Sequence, residues 1–110
     1  MTVMELSTAL GWPAAAAGED KPVACGWSGD LLSHALTHAP ENAAWITVMT
    51  NANVAAVAVL RRLSCVILAD GMQPDESLHD VAIREKITIL STQEDAYTAS
   101  IMLSKQLSLA

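Results

Sequence analysis

Residues 44–69 read AWITVMTNANVAAVAVLRRLSCVILA, and this stretch decides the fold. Trp45, Ile46, Thr47 and Val48 sit in an apolar run from Ala44 to Thr50, bounded by Asn42 before and Asn51 after, which predicts a strand. Asn53 stands where a helix N-cap belongs. The helix it opens runs to Arg62, with Arg61 and Arg62 placed to complement the dipole of the last turn. Cys65 to Ala69 is continuously apolar and is closed by Asp70 and Gly71, the pattern of a strand covered on both faces. Strand, helix and strand in this order predict a βαβ unit and hence a parallel sheet.

The alternation continues outward. Asp75 caps a predicted helix to about Lys86 that buries Leu78, Val81 and Ala82, Thr88 to Ser91 is a further strand, and Thr92 opens a last helix with Ala96, Ala99, Leu103 and Leu107 on one face. Toward the amino end, Asp30 to Ala39 places Leu31, Leu32, Ala35, Leu36 and Ala39 within an arc of about 140°, and Pro40 ends that helix. Ala14 to Ala17 and Val23 to Trp27 are short extended pieces separated by turn residues. Thr2 to Leu10 has helical spacing and stops at Gly11 and Pro13. The expected fold is a single α/β domain over residues 1–110, with a mostly parallel sheet of four to five strands flanked by helices.

Composition bounds the function. The 110 residues are long enough to bury a core without staples, and 52% of them are hydrophobic, far too many for a disordered chain. Nineteen alanines mean that much of this core is close backbone packing rather than large side chains. Twelve acids against six bases leave no basic stripe for phosphates, so nucleic acid is not expected as a partner. The longest apolar run, Val54 to Leu60, is far short of the ~20 residues that cross a bilayer. No Lys or Arg precedes Lys21, so the amino terminus lacks the basic flank of a secretory signal, and a cytoplasmic location is expected. Cys25 and Cys65 lie far apart in strand-like surroundings and read as reduced core thiols.

Three groups of residues carry candidate chemistry. Gly26, Trp27, Ser28, Gly29 and Asp30 place two glycines and a hydroxyl at a strand-to-helix turn, where main-chain N–H groups can receive an anion or be capped by Ser28 or Asp30. Asp30 stands where a nucleophile elbow needs glycine, so Ser28 does not read as a hydrolase nucleophile. His34 and His38 are one helical turn apart and can share a metal. No further ligand is evident, so no metal is expected. Asn51 and Asn53 stand at the carboxyl end of a strand, where open α/β sheets bind ligands, and Asp70 to Pro74 forms a loop at the same end of the next strand. The ligand-binding candidates are Gly29, Asp30, Ser33, Thr47, Asn51, Asn53 and Asp70, in a crevice built from Gly29 to Ser33, Thr47 to Asn53 and Asp70 to Gln73. There is no phosphate-cradling loop with Gly followed by Lys, no three-glycine dinucleotide fingerprint and no CxxC, so no cofactor is expected. A helix without a polar face, Val54 to Leu60, needs cover on every side, which points to a homodimer.

Gly29-Asp30-Leu31-Leu32-Ser33, then Trp45-Ile46-Thr47, then Asn53-Val54-Ala55-Ala56-Val57-Ala58 resembles the DRTGG domain family, in particular its small stand-alone bacterial and archaeal members. The segment corresponding to the five residues that name the family reads Ala24, Cys25, Gly26, Trp27, Ser28, and the family often carries His at the position of Asn51. The resemblance implies a fold like the amino-terminal domain of HPr kinase/phosphorylase, and like domains found beside CBS modules or in phosphotransacetylases, whose catalysis lies in other domains. It also implies a regulatory or assembly role, since stand-alone members occur near iron-only hydrogenase genes. The leading expectation is therefore a non-catalytic regulatory or scaffolding domain, homodimeric, with a protein or small-metabolite partner. The alternatives are a small-ligand sensor, of an adenine nucleotide or another metabolite, and a metal-dependent enzyme using His34 and His38.

Overall fold

The computed structural model describes residues 1–109. Five helices, α1 (Val3–Leu10), α2 (Leu32–His38), α3 (Asn53–Leu60), α4 (Glu76–Glu85) and α5 (Ala96–Ser108), surround five strands, β1 (Ala14–Ala16), β2 (Cys25–Ser28), β3 (Ala43–Thr47), β4 (Cys65–Leu68) and β5 (Thr88–Ser91). The strands form one sheet in the order β1-β5-β4-β3-β2, parallel except for the β1–β5 pair. The chain lays β2 to β5 side by side in sequence order.

Alternation along each strand divides the core into two layers. Ala43, Trp45, Val66, Leu68 and Ile89 meet α2, α3 and α4 on one face. Ala44, Ile46, Cys65, Ile67 and Leu90 meet α1 and α5 on the other. Because β3, β4 and β5 are covered on both sides, every residue in them is buried, as the unbroken apolar runs require.

Local chemistry sets the helix ends. Thr2 and Glu5 form a reciprocal capping box, with Glu5 N–H donating to Thr2 Oγ1 at 3.3 Å and Thr2 N–H to Glu5 Oε1 at 2.9 Å. Gly11, at φ 69°, ends α1. Asp75 accepts from the Leu78 N–H at 2.8 Å and Asp95 from the Thr98 N–H at 2.7 Å. These main-chain donors hold both carboxyls below the usual carboxylate range.

Four expectations need correction. The third strand ends at Thr47 rather than Thr50, because the Asp30 carboxylate takes the Val48 N–H and the chain turns away. Asn53 does not cap α3: Asn51 Oδ1 accepts from the Asn53 N–H at 3.0 Å instead. Thr92 does not cap α5. It accepts from the Glu94 N–H at 3.1 Å in a local turn, and Asp95 is the cap. Neither Ser28 nor Asp30 caps α2, whose N-cap residue, Leu31, has no side-chain bond. The two early extended pieces end up on opposite edges of the sheet.

The apolar helix has a simple explanation. α3 is the middle helix of its layer and contacts α2, α4 and β4, so Val54, Ala55, Val57 and Ala58 are buried inside the chain itself. Asn53, Ala56, Val59 and Leu60 face outward. The lack of a polar face therefore reflects three neighbours within one chain and is not by itself a ground for a second copy.

Candidate functional site

The carboxyl ends of the parallel strands all lie at one rim of the sheet, and the sequence-selected residues gather there. Gly29 follows β2, Thr47 ends β3, Asn51 lies between β3 and α3, Asn53 is the first residue of α3, and Asp70 follows β4. Ser33 lies on the exposed side of α2 within its first turn.

Most of these residues are bonded to one another or to neighbouring strand ends and loops. The Gly29 N–H donates to the Ile46 carbonyl at 3.1 Å, and the Gly29 carbonyl accepts from Trp45 Nε1 at 2.9 Å, so its main chain does not face outward unpaired as the sequence predicted. Asp30 Oδ1 accepts from Thr47 Oγ1 at 2.7 Å and from the Val48 N–H at 2.9 Å, tying the β2–α2 turn to the end of β3. Thr47 is 1% exposed. Asn51 is an Asx turn on Asn53. Asp70, at φ 57°, donates its N–H to the Glu94 carbonyl at 2.8 Å, and Gly71 donates to the Thr92 carbonyl at 2.9 Å, so the loops after β4 and β5 are stitched together. Gln73 Nε2 completes the seam by donating to Ser91 Oγ at 3.0 Å.

The seam sits at a change of direction in the fold. α4 leaves β4 toward one face and α5 leaves β5 toward the other, which is where an open α/β sheet usually has its crevice. Here that crevice is filled by loop-to-loop hydrogen bonds. The rim is also strongly charged: Asp30, Asp70, Asp75, Glu76, Glu94 and Asp95 lie in its loops and helix starts, and no Lys or Arg does. Such a rim repels a bare anion.

His34 and His38 pack edge to face with ring centroids 4.3 Å apart, and Trp27 packs on His34 at 5.5 Å. His38 Nδ1 lies 2.8 Å from Thr37 Oγ1. His79 stands on α4 against Asp80. Among the described residues no three His, Cys, Asp or Glu side chains come close enough to hold a metal ion. Cys65 is fully buried and burial pushes its thiol up to about 12, while Cys25 is half-buried on β2.

A concavity that sequence reading missed lies away from the rim. Between β2 and α5 is a groove of about 430 Å³ lined by Ala24 to Ser28 and by Ser100, Leu103, Ser104, Leu107 and Ser108. Its one signal in the sequence is serine at every fourth position of the last helix.

The sequence pattern of the DRTGG domain family matches residues 29–106. The chain belongs to the DRTGG domain family. Those residues include all three segments that carried the resemblance, from Gly29 to Ala58. No curated protein matches this DRTGG domain in sequence. Among solved structures, it is similar to the CBS and DRTGG domains of the regulatory region of Clostridium perfringens pyrophosphatase in complex with an activator, diadenosine tetraphosphate. The identity is 20% and the TM-score 0.72, over 93% of this chain and 45% of that one. The DRTGG domain thus spans less than half of that regulatory region. The likeness establishes a common fold. Among the described residues no helix is long and apolar enough to cross a membrane.

Proposed function

We propose that this DRTGG domain is a non-catalytic regulatory or scaffolding unit that acts in the cytoplasm as a homodimer. One observation carries the reading: the polar groups at the strand ends, where an α/β enzyme places its chemistry, are bonded to each other. Asp30 is held by Thr47 and Val48, Gln73 by Ser91, and the Asp70 and Gly71 N–H groups by the next loop. This is a rigid rim rather than a reaction site. The place of the similar DRTGG domain in a regulatory region supports the same role. Sedimentation of the purified chain at micromolar concentration is the test of assembly. A species of twice 11.6 kDa is expected, and a monomer at every concentration overturns the homodimer.

A second reading, a small-metabolite sensor, is favoured by the activator bound in the pyrophosphatase regulatory region. In this reading Gly29, Asp30, Ser33, Thr47, Asn51, Asn53 and Asp70 lie nearest the ligand. The acidic rim then requires a polyphosphate to arrive with its charge neutralised by a divalent cation. Thermal shift with diadenosine tetraphosphate, ATP or acetyl phosphate, with and without Mg²⁺, separates the readings. A ligand at 100 times its Kd adds about 2.7 kcal/mol of stability. No shift with any of the three removes the sensor.

A further inference from the structure

The two edges of the sheet are finished differently. β1 is three residues long, follows Pro13 and slips register between Ala14 and Ala16, all of which blunt an edge against pairing. β2 has none of these devices. Cys25, Gly26, Trp27 and Ser28 keep regular register with β3 and carry no charge and no proline. The Gly29 N–H just past β2 donates to the Ile46 carbonyl at 3.1 Å, in register with the strand pair, and main-chain groups alternate sides along a strand. The N–H and C=O groups of Gly26 and Ser28 therefore turn outward, and among the described residues no loop or helix main chain bonds to them. The Trp27 indole N–H on the same strand is buried without an acceptor.

The groove beside this edge belongs to a bare flank of α5. The helix contacts β2 and β3 beneath it and α1 on its other side. Gly26 lets it down onto the strand, since a Cβ there would stand 2.7 Å from Leu103 Cδ2. At 100° per residue, Tyr97, Ser100, Ile101, Ser104 and Ser108 share an arc of about 100° facing the open side. Tyr97 is 77% exposed and Ile101 38%.

We infer that a second copy of this chain closes β2 by antiparallel pairing with its own β2 across a two-fold axis, making one ten-stranded sheet with α5 packed on the partner's α5. The inference rests on the homodimer reading and names its surface. Paired strands lie ~4.8 Å apart. Because α5 lies over β2 and β3, such pairing brings the two α5 axes to roughly 8–10 Å, the distance of packed helices. Serine at 100, 104 and 108 is small enough for that approach. A lone peptide strand would satisfy the edge but leave Tyr97 and Ile101 bare. Charge favours the same surface, because copies carrying −6 each meet best where there are no carboxylates, and neither β2 nor α5 contains one.

Sedimentation of wild type, Ser104→Arg and Leu60→Asp, with oxidative cross-linking of Ser104→Cys in a Cys25→Ser background, tests this. Ser104 and Leu60 are both exposed, so the variants keep the fold. The expected result is a wild-type dimer, a Ser104→Arg variant whose dimer is weakened about a hundredfold by a buried unpaired charge, an unaffected Leu60→Asp dimer, and a covalent dimer through residue 104. A dimer that Ser104→Arg leaves intact and Ser104→Cys does not link means that copies meet elsewhere; the inference falls while the homodimer stands. A wild type that is monomeric at every concentration removes both.

Discussion

Asp30 has a free carboxylate in a sequence reading and a structural one in the fold. It closes the β2–α2 turn onto β3 through two hydrogen bonds, one of them from the buried hydroxyl of Thr47. Removing the acceptor leaves that hydroxyl without its partner, so Asp30→Ala is expected to cost about 1–3 kcal/mol in urea unfolding. A loss below a few tenths would show that the turn does not depend on Asp30. This role was not legible because the partner is a residue seventeen positions away, whereas a cap is a local pattern. The cap at Asp75 was read correctly, whereas those expected at Asn53 and Thr92 lost to local turns two residues long. Cys65 is the second residue-scale case. Its thiol, raised from 9.0 to about 12 by burial, keeps its proton in the folded state longer than in the unfolded state. Its contribution to stability is complete below about pH 9 and is lost as the pH climbs toward about 12. Native protein at pH 8 should therefore leave Cys65 unlabelled by a thiol-specific disulfide reagent until global unfolding. Prompt labelling of that residue contradicts its burial.

Among the elements, α3 separates what periodicity can and cannot convey. Its apolar run correctly marks a covered helix, yet the identity of the cover depends on which helices flank it, and that is a matter of topology. Val54 is fully buried and Leu60 is 69% exposed. Val54→Ala is expected to cost about 1–3 kcal/mol, scaled down from larger core truncations, and Leu60→Ala to stay within about 0.5 kcal/mol. Denaturant midpoints of the two variants check this, and equal losses would place Leu60 in a packed interface. The strands from β3 onward were legible because each is a short apolar run between turn residues. β1 was the weak case, since Ala14, Ala15 and Ala16 have little strand preference of their own and owe their conformation to pairing with β5.

For the whole molecule, charge is distributed less evenly than composition implies. Half of the twelve acids stand at the carboxyl rim, while Arg61, Arg62, Arg84 and Lys86 follow or end helices at the opposite end of the sheet. Screening relieves the crowding at the rim, so raising NaCl from about 0.02 M to 0.5 M is expected to stabilise the fold by about 0.5–1 kcal/mol. Thermal unfolding across that range is the measurement, and a falling midpoint would mean that the ion pairs at the other end dominate. The α/β class and the parallel sheet followed from the alternation of runs. The groove at β2 did not, because it depends on the last helix returning over the other edge of the sheet.

The pairing of β1 with β5 has a consequence for how the chain is made. Ala14 lies opposite Leu90, so β1 must wait until β2, β3 and β4 have been made and β5 follows before it has a neighbour. The Gly18 N–H waits as well, for Thr88 Oγ1, and Glu19 for the Lys86 carbonyl. Meanwhile β2 to β5 can add one strand at a time in the order of synthesis, each βαβ crossover closing a short loop. Translation thus leaves the amino-terminal piece as the final clasp, and nascent chains halted before residue 88 should hold it accessible to proteases, while the completed polypeptide should protect it.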